Sequence, residues 1–281
     1  MPSFATPEPI LADLEPVVGY VRIVAGDRPE TVVEVTPVDE NNDSDVDAAK
    51  RTVVEFSGGI LTVRAPKMRL LDFSNKTRSI DVTIELPAGS RVQGSTGLGD
   101  LTATGRLGSC RYKSGTGHIR LDRTGELKVH SASGNIVVEH VDGNADISTS
   151  SGRVHVGEIA GTAVVKNSNG TTTIGAAGDS IRLRSANGDI TVERAEGDVE
   201  AKTANGSVRV LDAARGKLDL DTSMGDIEVG IREGSAAWLD VNTRFGRVVN
   251  DMAAAGAPDA TTDKLEVHAG TSVGDILVHR S

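Results

Sequence analysis

The sequence predicts an all-β fold, a single-stranded parallel β-helix (β-solenoid) of about ten coils, each of roughly 18 residues with two short strands. Three observations carry the prediction. A unit of Ser, Thr or Asn, two variable residues, Gly, a polar residue and then alternating aliphatics recurs with its glycine at 99, 117, 134, 152, 170, 188, 206, 225, 246 and 274. A second glycine column, at 108, 125, 143, 161, 178, 197, 216 and 234, lies about halfway between the first. Between the two columns, apolar and polar residues alternate with the period of two that marks a half-buried strand.

In chain order, residues 1–90 lack the repeat but contain β-like runs, Val17 to Val24, Thr31 to Val35, Val53 to Phe56, Ile60 to Val63 and Ser79 to Leu86. These are expected to form an N-terminal β meander capping the first coil, because an open solenoid end exposes unpaired backbone and apolar side chains. Asp39 to Lys50 reads as an acidic, Asn-rich loop. Pro66 to Arg78 reads as a second loop, in which cationic and apolar residues coincide where no repeat requires them. Its Lys67, Arg69, Leu70, Leu71, Phe73, Lys76 and Arg78 are the candidate partner-binding residues.

Residues 91–281 are expected to be the solenoid. In the coil from Gly188 to Gly206, Ile190 and Val192 fall on one face of the first strand, and Val199 and Ala201 on one face of the second. The inward columns continue through Ile136 and Val138, Val154 and Val156, Val208 and Val210, Ile227 and Val229, and Ile276 and Val278. Those of the second strand include Leu127 and Val129, Ala163 and Val165, Ile181 and Leu183, and Leu218 and Leu220, and Cys110 and Tyr112 share that column. Cys110 therefore reads as a small buried apolar residue and not as a nucleophile. On the outer face, Arg182 is expected over Glu200 and then Asp219, and Arg184 over Lys202 and then Asp221.

The Ser/Thr/Asn column precedes the sharp turn, where short polar side chains bond local backbone groups and the following glycine supplies a positive φ. Parallel crossovers prefer the right-handed sense, so a right-handed winding is expected. Residues 251–263 form an Ala/Gly/Pro-rich insertion before a last coil that runs nearly to Ser281. An uncapped final strand there predicts a homo-oligomer through the C-terminal solenoid edge, or coverage of that edge by the insertion.

With 40 acidic against 30 basic residues, the formal charge of −10 argues against a nucleic-acid partner, whose phosphates call for clustered Lys and Arg. The single cysteine excludes an intramolecular disulfide framework. Met1 to Ile10 has acidic residues and prolines where a secretory signal has a basic start and an apolar run, and no stretch is apolar enough to span a membrane, so a cytoplasmic location without membrane contact is expected.

The residues after the repeat glycines are Asp100, His118, Asn135, Arg153, Thr171, Asp189, Ser207, Asp226, Arg247 and Asp275. Two arginines and a histidine in that column are incompatible with the calcium sites of β-rolls. Asp122 and Glu139 are placed as stacked carboxylates on an outer column, the minimum for glycosidase chemistry, but the column continues with Gly157 and Gly175 and reads as solvated surface. The six histidines show no ligand spacing. No catalytic residue, cofactor or metal is expected.

The stretch VTIELPAGSRV from Val82 to Val92 and the recurrent pieces SGNIVVEHVDGNADI, ANGDITVERAEGDVEAKTANGSV and TSMGDIEV resemble the bacterial putative-adhesin family with β-strand repeats, a domain of unknown function. The resemblance covers essentially the whole chain. It implies an elongated β-solenoid used as a binding or scaffolding surface, with no family catalytic residues to carry over. The expectation is a bacterial, non-enzymatic scaffold presenting its outer faces and the 66–78 loop to a protein partner. The alternatives are a carbohydrate-active or carbohydrate-binding β-helix, and a structural protein that assembles through solenoid ends.

Overall fold

The computed structural model describes residues 1–66, 78–252 and 263–281. The fold is an all-β parallel β-helix. The chain divides into two compact units, Met1–Val138 and Glu139–Ser281.

The first unit contains β1 (Ser3–Ala5), β2 (Leu11–Gly26), β3 (Glu30–Pro37), helix α1 (Asp43–Arg51), β4 (Val53–Ser57) and β5 (Ile60–Arg64). There follow β6 (Ile80–Pro87), β7 (Arg91–Leu98), β8 (Leu101–Thr116), β9 (Ile119–Ser133) and the start of β10 (Ile136–Val141). β2 is a whole coil. Its first half pairs in parallel with β5 and β7, Leu11 facing Ile60 on one side and Arg91 on the other. Its second half pairs in parallel with β6 and β8, Val21 facing Val82 and Leu101. The corner between the halves is Gly19, at φ +126°, and a Cβ added to Gly99 would stand 1.6 Å from the Gly19 carbonyl oxygen. The column of corner glycines thus begins at Gly19, inside the stretch that had shown no repeat.

Antiparallel pairing enters through β1 with β3, β3 with β6 and β4 with β5. The acidic stretch expected to be a loop is partly helical. Asn42 accepts the Ser44 amide at 3.0 Å as N-cap, Asp43 and Asp45 occupy the first turn, and Lys50 and Arg51 the last. Each of these favours a helix through capping and the macrodipole. Tertiary contacts fix it: Ala48 is buried, and the buried Asp45 takes the Ser79 amide at 2.9 Å.

The second unit contains β11 (Ala145–Ser151), β12 (Val154–Ile159), β13 (Ala163–Asn169), β14 (Thr172–Ala177), β15 (Ile181–Asn187) and β16 (Ile190–Ala195). β17 (Val199–Asn205), β18 (Val208–Ala213), β19 (Gly216–Met224) and β20 (Ile227–Ile231) come next. The last are β21 (Ala236–Phe245), β22 (Val248–Asn250), β23 (Lys264–Val273) and β24 (Ile276–Arg280).

Odd-numbered strands from β11 to β19 pair in parallel with one another, and even-numbered strands from β12 to β20 do likewise. Every aliphatic residue assigned to an inward column is buried. The outer ladder has the expected register, Arg182 facing Glu200 and Glu200 facing Asp219. Arg184 avoids the like charge of Lys202 above it by reaching diagonally to Glu200, at 2.8 Å.

Corner chemistry reaches between coils. Thr203, Thr222 and Thr271 donate from Oγ1 to the carbonyls of Gly188, Gly206 and Gly225, at 3.2, 2.8 and 3.0 Å. Asp189 and Asp226 accept the amides of Ser207 and Asp275, at 2.9 and 2.8 Å. An asparagine ladder lies beside them, Asn205 donating to Asn187 and Asn187 to Asn169, both at 2.9 Å.

One expectation fails at the chain's end. The last coil in sequence, β23 and β24, is an inner coil. β23 pairs with both β19 and β21, and β24 with both β20 and β22. Among the described residues, the outermost coil at this end is β21 and β22. Polarity explains the inversion: inward positions filled by Ile276 and Val278 in the inner coil are Val248 and Asn250 in the outer one. Enclosing Asn250 would strand an amide in the dry column, whereas at the end it is exposed and accepts the Met252 amide.

Candidate functional site

Of the loop residues nominated from the sequence, Lys67, Arg69, Leu70, Leu71, Phe73 and Lys76 lie outside the described residues. Arg78 lies just before β6, half-buried and with contacts of its own. The 251–263 insertion is described only at its margins.

The surface that the described residues leave open is the outer coil. Ala236 donates its amide to the Asp263 carbonyl at 2.8 Å. Peptide groups alternate in direction along a strand, so those of Ala237, Leu239, Val241 and Thr243 turn away from β23. Among the described residues no strand pairs with that side. Inner-face residues are correspondingly uncovered: Val248 is 44% exposed where its neighbour Ile276 is 0% exposed. Phe245, at 68%, and Trp238, at 58%, add exposed aromatic surface to the same coil.

Charge is arranged along its outer column. His268 approaches the Asp240 carboxylate through Nδ1 at 3.3 Å and Glu266 through Nε2 at 2.5 Å. That bond holds the Glu266 carboxyl below the usual range, with a smaller contribution from Lys217. The Trp238 ring meets the His268 ring edge-on, with centroids 5.3 Å apart. Arg244, exposed on the same column, has no ion pair among the described residues.

Groups considered for chemistry are occupied in the structure. The Asp122 carboxylate accepts the Gly105 amide at 3.1 Å, and Glu139 has an interaction of its own. His118 accepts the Asn135 amide through Nδ1. Among the described residues, no three His, Cys, Asp or Glu side chains are grouped to hold a metal ion. Cys110 is fully buried, and burial pushes its thiol up to about 12.

The sequence model of the Toastrack DUF4097 family matches residues 30–280. The chain belongs to that family. Comparison with curated proteins returns no match for this Toastrack chain. Solved structures with which it shares a likeness include a putative adhesin from Parabacteroides merdae, at 12% identity, with 100% of this chain and 95% of that one covered and a TM-score of 0.43. Others are a putative adhesin from Bacteroides fragilis, at 14% identity, 99% and 95% coverage and a TM-score of 0.34, and a putative cell adhesion protein from Clostridium sporogenes, at 12%, 99% and 94%, and 0.29. Likenesses this distant transfer no function to the Toastrack chain. Among its described residues, no helix is long and apolar enough to cross a membrane.

Proposed function

We propose that this Toastrack chain is a non-enzymatic binding scaffold whose protein contact is made by strand addition at the outer coil β21–β22, and that the added strand comes from a second copy. The observation that carries the reading is the combination of outward-turned peptide groups on Ala237, Leu239, Val241 and Thr243 with an incompletely covered inner face. Such an edge accepts a strand through main-chain hydrogen bonds.

A second copy fits by register. Antiparallel pairing about Asn242 sets Val241 opposite Thr243 as hydrogen-bonded pairs. It sets Leu239 opposite Phe245, and Asp240 opposite Arg244, which has no ion pair among the described residues, in the closer, non-hydrogen-bonded pairs. The contact is isologous and closes at two copies.

Val241→Pro is the diagnostic substitution, because it removes an amide that faces outward and leaves the ladder to β23 intact. Light scattering coupled to size exclusion is expected to show the native mass moving from monomer to dimer with rising concentration, and the variant remaining monomeric. A native chain that stays monomeric at high concentration, or a dimer indifferent to Val241→Pro, overturns the reading.

A further inference from the structure

A cavity of about 490 Å³ opens on the outer face of the first unit where β2, β3, β6 and β8 lie side by side. Its volume is within the range of small-molecule sites. Register builds it in two rows. In one, Asp81 faces Tyr20 on one side and Thr36 on the other. In the next, Arg22 lies between Thr83 and Thr102. Asp100, at the start of β8, completes the lining.

The polar groups here are not all satisfied by the fold. Asp81 Oδ1 is buried and has no hydrogen-bond partner among the described residues. A carboxylate oxygen without a donor favours a ligand that can supply one once the carboxyl turns towards the cavity. Burial pushes the Asp81 carboxyl above the usual range, against the Tyr20 backbone and the Arg22 guanidinium, which both pull it down. Arg22 itself has no hydrogen bond among the described residues, and Tyr20 is 52% exposed beside it. Among the described residues, one concavity thus holds a carboxylate oxygen without a donor, a guanidinium without an acceptor and a half-exposed aromatic ring.

We propose that this cavity binds a neutral sugar residue. Hydroxyl groups on adjacent ring carbons are donors and acceptors at once, so one residue can donate to Asp81 and accept from Arg22. The threonine hydroxyls of the rows offer further partners of either kind. The Tyr20 ring supplies a flat apolar surface for the C–H face of the sugar, with its polar tip free. Charge narrows the class. The lining carries one cation, Arg22, and two carboxylates, Asp81 and Asp100. That balance disfavours an acidic sugar, and the Arg22 guanidinium offsets part of the pull of the two carboxylates on a cation. This site is separate from the outer coil and does not rest on the self-association reading.

The test is saturation-transfer NMR on the full chain with galactose, glucose and N-acetylglucosamine as probes, and glucuronate and free lysine as charged counterparts. Transfer is expected to at least one neutral sugar. Affinity is expected to fall about tenfold or more in Tyr20→Ala, which removes the apolar face, and in Asp81→Asn, which removes the carboxylate charge from the acceptor. Arg182→Ala, in the second unit, is expected to leave binding unchanged. On the unsubstituted chain the same sugar is expected to shift the Thr83 and Thr102 amide resonances, a readout independent of how the variants fold. Absence of transfer from every neutral sugar, stronger transfer from glucuronate or lysine, or binding that moves neither amide and survives both substitutions overturns the proposal.

Discussion

Gly274 packs directly on Gly225, so closely that a Cβ built on Gly274 would stand 2.0 Å from the Gly225 carbonyl oxygen. The next corner glycine in the stack is Gly246, whose own Cβ would meet the Gly274 carbonyl at 1.9 Å. The chain passes Gly246 before it reaches Gly274, yet Gly274 lies between its two neighbours. An isolated terminal rung would be expendable, whereas an inner rung supports the coil beyond it.

Gly274→Ala should therefore cost about 2–4 kcal/mol, since its φ of +148° and the backbone clash act together. Gly234→Ala, at φ +85° with nothing near the added carbon, should cost only about 1–2 kcal/mol. Urea denaturation followed by Trp238 fluorescence checks both. Hydrogen exchange in Gly274→Ala should rise in β21 and β22 as well as in β23 and β24. Exchange confined to β23 and β24 would contradict the order of coils.

The Gly-Asp pairs, which invite comparison with calcium sites, have a backbone task. Asp226 accepts the Asp275 amide at 2.8 Å, and Asp275 in turn accepts the Arg247 amide at 2.9 Å. Asp226→Ala should lose about 1 kcal/mol, the value of one such bond. Calcium and a chelator should leave the melting temperature of the native chain where it was. A calcium-dependent rise that disappears in Asp226→Ala would falsify the structural assignment.

Cys110 faces Val92 on one side and Leu127 on the other in the inward column. With its thiol pushed up to about 12 by burial, it has almost no thiolate at neutral pH. An aromatic disulfide reagent should label it only as fast as the unit opens, and immediately in guanidinium. Fast labelling of the native chain would place the thiol elsewhere.

The coils were legible because a period of two between glycine punctuation marks states burial directly. Ile190, Val192, Val199 and Ala201 all face inward as their alternation requires. The ladder from Arg182 to Asp219 was legible for the same reason, since a constant coil length fixes register. What sequence could not convey was spatial order. β2 carries a corner, Gly19, followed by alternating Val21 and Ile23, but the strands and helix between it and β7 interrupt the spacing by which a repeat is recognised. The order of β21 and β23 depends on which coil tolerates exposure, and Asn250 was the signal. Helix α1 could have been found from Asn42, its acidic first turn and its basic last turn. The candidate sites were less legible, because a cavity such as that between Tyr20 and Asp81 joins residues whose pairing is set by the insertion of β2.

The outer ladder makes a prediction about acid. Arg182 donates to Glu200 at 2.5 Å and Arg184 at 2.8 Å, and the Arg182 bond is the largest reason that the Glu200 carboxyl lies below its usual range. A carboxyl depressed in the folded state stabilises the fold at pH values above its unfolded pKa, about 4.3 for Glu, and that contribution is lost as pH falls through the lower folded value. Asp212, held down chiefly by Arg232, adds to the same acid limb. Glu200→Gln should cost about 0.5–1 kcal/mol near neutrality, because the pair is largely at the surface. The difference should shrink towards zero in acid and in high salt. Urea midpoints of the two proteins at neutral and acid pH measure it, and a gap that widens as the pH drops would mean that Glu200 stabilises the fold in its protonated form.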